Sequence, residues 1–303
     1  MNAPSTEKRI QTIIQGILDL PSLPTVVAKI VELVDNPKTN ARTLARLISS
    51  DPALTARILK LANSSYYGFP RRIGTINLAI VVLGFNSVRD LAVSASIVDR
   101  LNLEPGNHRF DMSGFWDHSL GVAIAARMLL KLGSARVIGE AFVAGLLHDI
   151  GRLVIVRYMP AEYARISALV RNGGVALWEA ERQVLMMDHA QIGALLCRYW
   201  HLPENLCEAI SWHHNPLGQE KPELLTALVH VADELVRYCE GDGNPEGGSR
   251  PLVDELANEL GMRRNEDGEV DLEWYAQRFR EESQKAETFR GLVQGREMPE
   301  DEE

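Results

Sequence analysis

The sequence predicts an all-α protein, and three observations carry that prediction. Apolar residues recur at helical spacing in almost every segment. Helix starts and stops are marked by Asp, Ser, Thr, Pro and Gly at the expected places. Strand signals are nearly absent: the one β-branched run, Val81-Val82-Leu83, is short and sits inside a helical pattern. With 303 residues, 46% of them hydrophobic, the chain can bury a substantial core as one large or two smaller domains.

Taken in order, residues 5–19 predict a short opening helix and Leu20-Pro21-Ser22-Leu23-Pro24 a turn. Val26, Val27, Ile30, Leu33 and Val34 share one face of a helix over 25–34, which Asp35-Asn36-Pro37 stops. Residues 40–49 put Leu44, Leu47 and Ile48 on one face. Asp51 then caps a new helix with Pro52 in its first turn and Leu54, Ile58, Leu59 and Leu61 as its stripe. After the loop Asn63 to Pro70, helices follow over 75–83 and 86–101. Glu104-Pro105-Gly106-Asn107 breaks helix, so a boundary is placed there, with residues 1–104 on one side and 105–240 on the other. The second part predicts helices over 115–131, 135–148, 151–157, 160–171, 175–185, 188–200, 203–213 and 221–239. Residues 241–303 form a third portion: a Gly/Pro-rich acidic loop to Arg250, a short helix near 251–260, one longer helix over 271–292 and an acidic tail.

Composition narrows the function classes. Net charge is −9, which argues against a global affinity for nucleic acid or anionic membrane. Cys197, Cys207 and Cys239 lack metal or redox spacing and read as free thiols of a reducing compartment. Residues 1–8 carry no signal-peptide core, and the longest apolar stretch, Ile76 to Val98, is broken by Gly84, Asn86, Ser87, Arg89 and Asp90. A soluble cytoplasmic protein is expected. Between Lys38 and Arg72, seven basic residues (Lys38, Arg42, Arg46, Arg57, Lys60, Arg71, Arg72) face one acid, Asp51, for 7 − 1 = +6. The helix–turn–helix there resembles a DNA reader in outline. A solvated basic face is the plainer reading, and DNA binding is not expected; such a face also suits an acidic partner protein or a nucleotide phosphate.

The chemistry lies in a scattered set of metal-type side chains: His118, the pair His148-Asp149, His189, the pair His213-His214, and Asp233. Neighbours on a helix point about 100° apart, so a His-Asp pair chelates together only at a helix end. A mixed His/carboxylate set without Cys suits Fe, Mn, Ni or Zn in an open or dinuclear centre rather than a closed structural Zn site. Each member has a plain alternative. His118 reads as a core residue or cap, Asp149 as the cap of the next helix and His189 as following the N-cap Asp188. His213-His214 can complement a helix dipole as imidazolium. Asp233 lies on an otherwise apolar face, where a carboxylate is costly unless paired. His230, three residues before Asp233, is a further candidate; His108 and His201 sit in loops and are left out.

These motifs resemble a known family. Leu146-Leu147-His148-Asp149-Ile150-Gly151-Arg152 is similar to the signature of the HD-domain superfamily of metal-dependent phosphohydrolases. The order His118, His148-Asp149, His189, His213, Asp233 resembles its dinuclear members, including the HD-GYP phosphodiesterases. The closer resemblance is to the HDOD family. It is carried by Leu20-Pro21-Ser22-Leu23-Pro24, Asp51-Pro52-Ala53-Leu54, Leu59 to Ser64, Ile76 to Ile80 with Leu83-Gly84, Asp188 to Ala194, and Ile210 to Pro216. The resemblance spans about residues 15–240.

It implies an N-terminal helical bundle packed on an HD-like bundle. It implies one ion held by His118, His148, Asp149 and Asp233, and a second completed by His189 and His213 across a bridging Asp149, with Fe or Mn as the metals. His214 is the alternative member of its pair. No Gly-Tyr-Pro follows His213-His214, which speaks against cyclic-di-GMP hydrolysis, and Arg152 stands where the phosphodiesterases carry Lys. Arg152 can clamp phosphate through its planar donors. The resemblance implies a signal-transduction module that binds metal and a nucleotide or partner protein. The alternatives are a metal-dependent phosphohydrolase and a dinuclear-iron redox enzyme. Oligomeric state is not legible.

Overall fold

A computed structural model describes residues 13–17, 24–34, 40–101, 110–132, 140–219, 223–241 and 250–293. The chain is all-α, as expected. Among the described residues the only β pairing is an isolated antiparallel bridge between Arg264 and Val270. The turn at 20–23, the break at 104–107, residues 135–139, the loop at 242–249, the tail 294–303, Lys38 and His108 lie outside the described residues.

The N-terminal helices are α1 (13–17), α2 (Thr25–Val34), α3 (Ala41–Ser49), α4 (Pro52–Ala62), α5 (Ile76–Leu83) and α6 (Phe85–Leu101). Their starts follow the capping chemistry. Asn40, Asp51 and Thr75 each accept from the backbone N–H three residues on, and Pro52 opens α4. Gly84, at φ +90°, ends α5 and lets α6 begin at the next residue, a conformation that costs glycine little.

The second part is built on α7 (Met112–Leu132), a 21-residue helix whose buried positions run almost round its girth. It packs against α8 (Ala141–Leu147) and α14 (Leu224–Glu240). Gly145 makes the α7–α8 approach close: a Cβ there would lie 2.7 Å from Ala123 Cα. Between them in sequence come α9 (Gly151–Tyr158), α10 (Pro160–Gly173), α11 (Leu177–Leu185), α12 (His189–Tyr199), α13 (Glu204–Trp212) and a 3-10 turn over Pro216–Gly218.

The C-terminal part differs from expectation in one respect. The single helix predicted over 271–292 is two, α16 (Leu272–Gln284) and α17 (Glu287–Val293), after α15 (Arg250–Glu259). The chain turns at Lys285-Ala286, where the Lys285 carbonyl accepts from Ser65 Oγ at 2.9 Å and Ala286 is fully buried. The turn seats Phe289 against Tyr66, Tyr67 and Phe142. Both helices pack on α7, and α17 also touches α4 and α6. One continuous apolar core therefore runs from Ile13 to Phe289. No helix among the described residues is long and apolar enough to cross a membrane.

Candidate metal centre

The seven sequence-predicted residues come together from five places in the chain. His118 is in mid α7, His148 and Asp149 stand in the turn between α8 and α9, and His189 opens α12. His213 and His214 follow α13, and Asp233 lies in mid α14. The local chemistry explains each position. Asp188 and Gln191 form a reciprocal capping box that fixes the start of α12 and hence His189. Gly151 lets the His-Asp turn approach α12: a Cβ there would overlap the His189 carbonyl and sit 2.7 Å from Gly193 N. The Gly of the His-Asp-Ile-Gly run is thus a packing requirement. Asp149 does not cap α9. Its Oδ2 instead accepts from Arg152 Nη1 at 2.7 Å, and its Oδ1 faces the histidines.

The side chains form two adjoining groups. His118, His148 and Asp233 make one; Asp149, His189, His213 and His214 make the other, and within each group the nearest ligand atoms lie within 4.8 Å of one another. Asp233 Oδ1 is 3.1 Å from His118 Nε2 and 3.8 Å from His148 Nε2. Asp149 Oδ1 is 2.9 Å from His189 Nε2, 3.5 Å from His148 Nε2 and 3.8 Å from His213 Nε2, so it stands between the groups. His214 Nε2 lies 2.8 Å from His189 Nε2. His148, Asp149, His189, His213 and Asp233 are all buried.

The imidazoles share one orientation. The Nδ1 of His148 donates to the Gly145 carbonyl at 2.7 Å and that of His213 to the Ile210 carbonyl at 2.7 Å. His189 Nδ1 meets Glu181 Oε2 at 2.6 Å, and His118 Nδ1 meets Glu240 Oε2 at 2.9 Å. Tethers of this kind fix the tautomer and leave Nε2 as the inward-facing donor atom, as at metal sites. Inside, His148 Nε2, Asp149 Oδ1 and His213 Nε2 are buried with no well-formed hydrogen bond. Orphaned buried polar atoms are costly, and a shared cation would satisfy all three. The donor set fits a divalent ion of the Fe, Mn or Zn type.

The electrostatics point the same way. Burial pushes His148 down, and pushes His213 down to about 3 with the neighbouring His148 and His189 adding to it; His214 is held well below its usual range by burial and by His213. These rings are neutral ligands rather than the imidazolium that a helix dipole would favour. Burial opposes a charge on His118 and His189 too. The carboxylates Asp233 and Glu240 on His118, and Glu181 and Asp149 on His189, override it and raise both to about 10. Asp149 and Asp233 stay well below the usual carboxylate range against their own burial, Asp149 through His148, His189 and Arg152 together and Asp233 chiefly through Arg237. The centre therefore demands positive charge, which protons or a metal ion can supply.

Several residues around the centre were not singled out in the sequence. Glu181 is buried and accepts from both Nδ1 and the backbone N–H of His189; its one signal was an acid at a stripe position beside Ala180, Val184 and Leu185. Arg237 donates to Asp233 Oδ1 at 3.0 Å from one helical turn on. Glu240 left no signal. Trp178 stacks on His214, and Arg182 lies over Trp178. His230 belongs to neither group; its Nδ1 holds the His213 carbonyl at 2.7 Å. Arg152, placed over Phe110 and Phe115, lines a cavity of about 280 Å³ with Tyr163, Ser167, Arg171 and Glu181.

The model of a family described as HDOD domain matches residues 20–216. A solved structure of a proposed phosphohydrolase from Shewanella amazonensis SB2B is 29% identical, with a TM-score of 0.72 over 93% of this chain and 98% of that one. An HDOD-domain protein of unknown function from Geobacter sulfurreducens is 26% identical, with a TM-score of 0.73 over 95% of this chain and 98% of the other. Among curated proteins, an uncharacterized protein of Treponema pallidum is 27% identical over 250 residues, 82% of this chain. The chain spans about half the length of that relative, 48%.

Proposed function

The chain belongs to the HDOD-domain family, and from that premise we propose that it is a signal-transduction module whose C-terminal half holds a dinuclear divalent metal centre and which acts by binding a ligand or protein partner. The observation that carries the reading is the shared orientation of four imidazoles, each tethered outward through Nδ1, around three orphaned inward atoms. His118, His148 and Asp233 hold one ion; Asp149, His189, His213 and His214 hold the other, with Asp149 near enough to serve both. Fe and Mn suit this ligand set. Residues 1–104, 105–240 and 241–303 form the N-terminal bundle, the metal-bearing bundle and a C-terminal brace of one module.

A second reading, a metal-dependent phosphohydrolase, is supported by Arg152. Its guanidinium is 2.7 Å from Asp149 and opens on a cavity beside the centre, where it can neutralise a phosphate. When bound, the metal supplies Lewis acidity. Arg152 and Arg171 bind the phosphate, and Glu181 keeps His189 in register. Hydrolysis of bis(p-nitrophenyl) phosphate by the protein loaded with Mn²⁺ or Fe²⁺ separates the two. The module reading predicts no turnover above an Asp149→Ala control. Metal-dependent turnover abolished by Asp149→Ala would establish the enzyme instead.

A further inference from the structure

A second polar site lies away from the His/Asp centre. A cavity of about 220 Å³ opens where α6, α7 and α8 meet the loop after α4, and is lined by Tyr67, Ser87, Asp90, Arg127, Lys131 and Phe142. It therefore sits where the N-terminal helices meet the metal-bearing half. Arg127 and Lys131 are four residues apart on α7, a spacing at which like charges repel. Both nevertheless line this one cavity, and among the described residues neither makes an ion pair.

The geometry holds Arg127 firmly. Its guanidinium lies over the rings of Tyr66 and Tyr67, 5.0 and 4.8 Å from their centroids, and Phe289 of α17 packs against both rings. A guanidinium held by its faces keeps in-plane N–H donors for an oxyanion, a role that a fixed Arg serves well. The Tyr66 and Tyr67 hydroxyls take part of that capacity. Asp90 is the opposing group. It is buried, places Oδ1 2.7 Å from Arg89 Nε, and is pushed up to about 7 by burial. A carboxyl in an anion cavity selects its guest: it repels an anion without a proton and accepts a hydrogen bond from one that carries a proton. Inorganic phosphate carries a proton near neutrality; a phosphomonoester, whose second pKa is about 6, is then mostly the unprotonated dianion, and sulfate carries no proton. Leu91, Leu130 and Phe142 form the apolar side of the cavity.

We propose that this cavity binds inorganic phosphate. Arg127 and Lys131 neutralise its charge, and Asp90 accepts a hydrogen bond from its protonated oxygen. The site is independent of the metal centre, and its position lets a ligand tie α6 of the N-terminal half to α7 and α8.

The test is calorimetric titration of the full chain with inorganic phosphate, phenyl phosphate and sulfate, in excess chelator so that bound metal contributes no anion affinity. Near pH 8, where Asp90 is ionised, saturable binding of inorganic phosphate is expected, at least tenfold tighter than sulfate or phenyl phosphate. It should weaken at least tenfold in Lys131→Glu, an exposed position, with an unchanged helical spectrum and melting temperature. Phenyl phosphate bound as tightly as inorganic phosphate would overturn the proposal. Absence of saturable binding, equal affinity for sulfate, or wild-type affinity in Lys131→Glu would overturn the proposal. So would loss of binding in Arg171→Ala alone, because that places the anion in the cavity beside Arg152.

Discussion

Two regions of the molecule treat their polar residues in opposite ways. In α3 and at Arg71-Arg72 before α5, the basic side chains of Arg42, Arg46, Arg71 and Arg72 are exposed, while Leu44, Ala45 and Ile48 are buried. In α7 to α14 the polar residues go inside: His148, Asp149, Glu181, His189, His213 and Asp233 are buried together, each with partners on other elements. A basic run on the surface is solvated and interchangeable. A buried polar set must satisfy every member, so each position is fixed by several others. The difference teaches where function is to be sought: the density of charge in sequence marks the first region, while the cost of burying charge marks the second.

The comparison can be broken most forcefully at Gly151. Gly151→Ala drives a methyl group into the His189 carbonyl, so several kcal/mol of destabilisation is expected, on the order of 3 or more. Urea denaturation measures it; a loss under 1 kcal/mol would show that the α9–α12 approach is not fixed as described. Next in size is Glu181→Gln, which weakens the hold on His189 Nδ1 and should reduce divalent-metal affinity roughly 10- to 100-fold. Competition against a chromogenic chelator reads this directly, and an unchanged affinity would show that Glu181 does not hold His189 for the metal.

A third prediction concerns pH. His118 and His189 titrate near 10 in the metal-free fold against an ordinary 6.5. The folded state then holds protons that the unfolded chain releases. This contribution to stability is complete below about pH 6.5 and fades as pH rises toward 10. Metal-free protein should therefore melt at progressively lower temperature from pH 7 to 10. Metal-loaded protein should lose less, because the ion replaces those protons and its affinity rises with pH. Equal slopes for the two forms would contradict the assignment. The smallest effect belongs to the other half: Arg46→Ala, on an exposed face, should change stability by no more than about 0.5 kcal/mol. A larger loss would mean that the basic face is structural.

Much of this was legible in the sequence. The caps Asp51 and Asp188, the stop at Gly84 and the apolar stripes placed most helices, because these signals act within a few residues. The candidate ligands were legible by residue type and by the HDOD resemblance. Their convergence was not, since it depends on contacts between α7, α9, α12, α13 and α14 that no local pattern encodes. Glu240 and Arg237 were invisible for the same reason. They read as solvent-facing helix charges until the fold sets them on His118 and Asp233. The turn at Lys285-Ala286 was missed because both residues suit a helix interior and the turn is fixed by Ser65 and by the seat of Phe289, which lie elsewhere in the chain.

The central claim is that the inward-facing imidazole and carboxylate atoms are one metal centre. Metal content of the purified chain by plasma mass spectrometry, beside the His148→Ala/Asp149→Ala double variant, tests it most directly. The account predicts about two Fe or Mn ions per chain, as purified or after anaerobic reconstitution, and their loss in the variant. A wild-type chain that takes up no divalent metal, or a variant that keeps it all, would contradict the account.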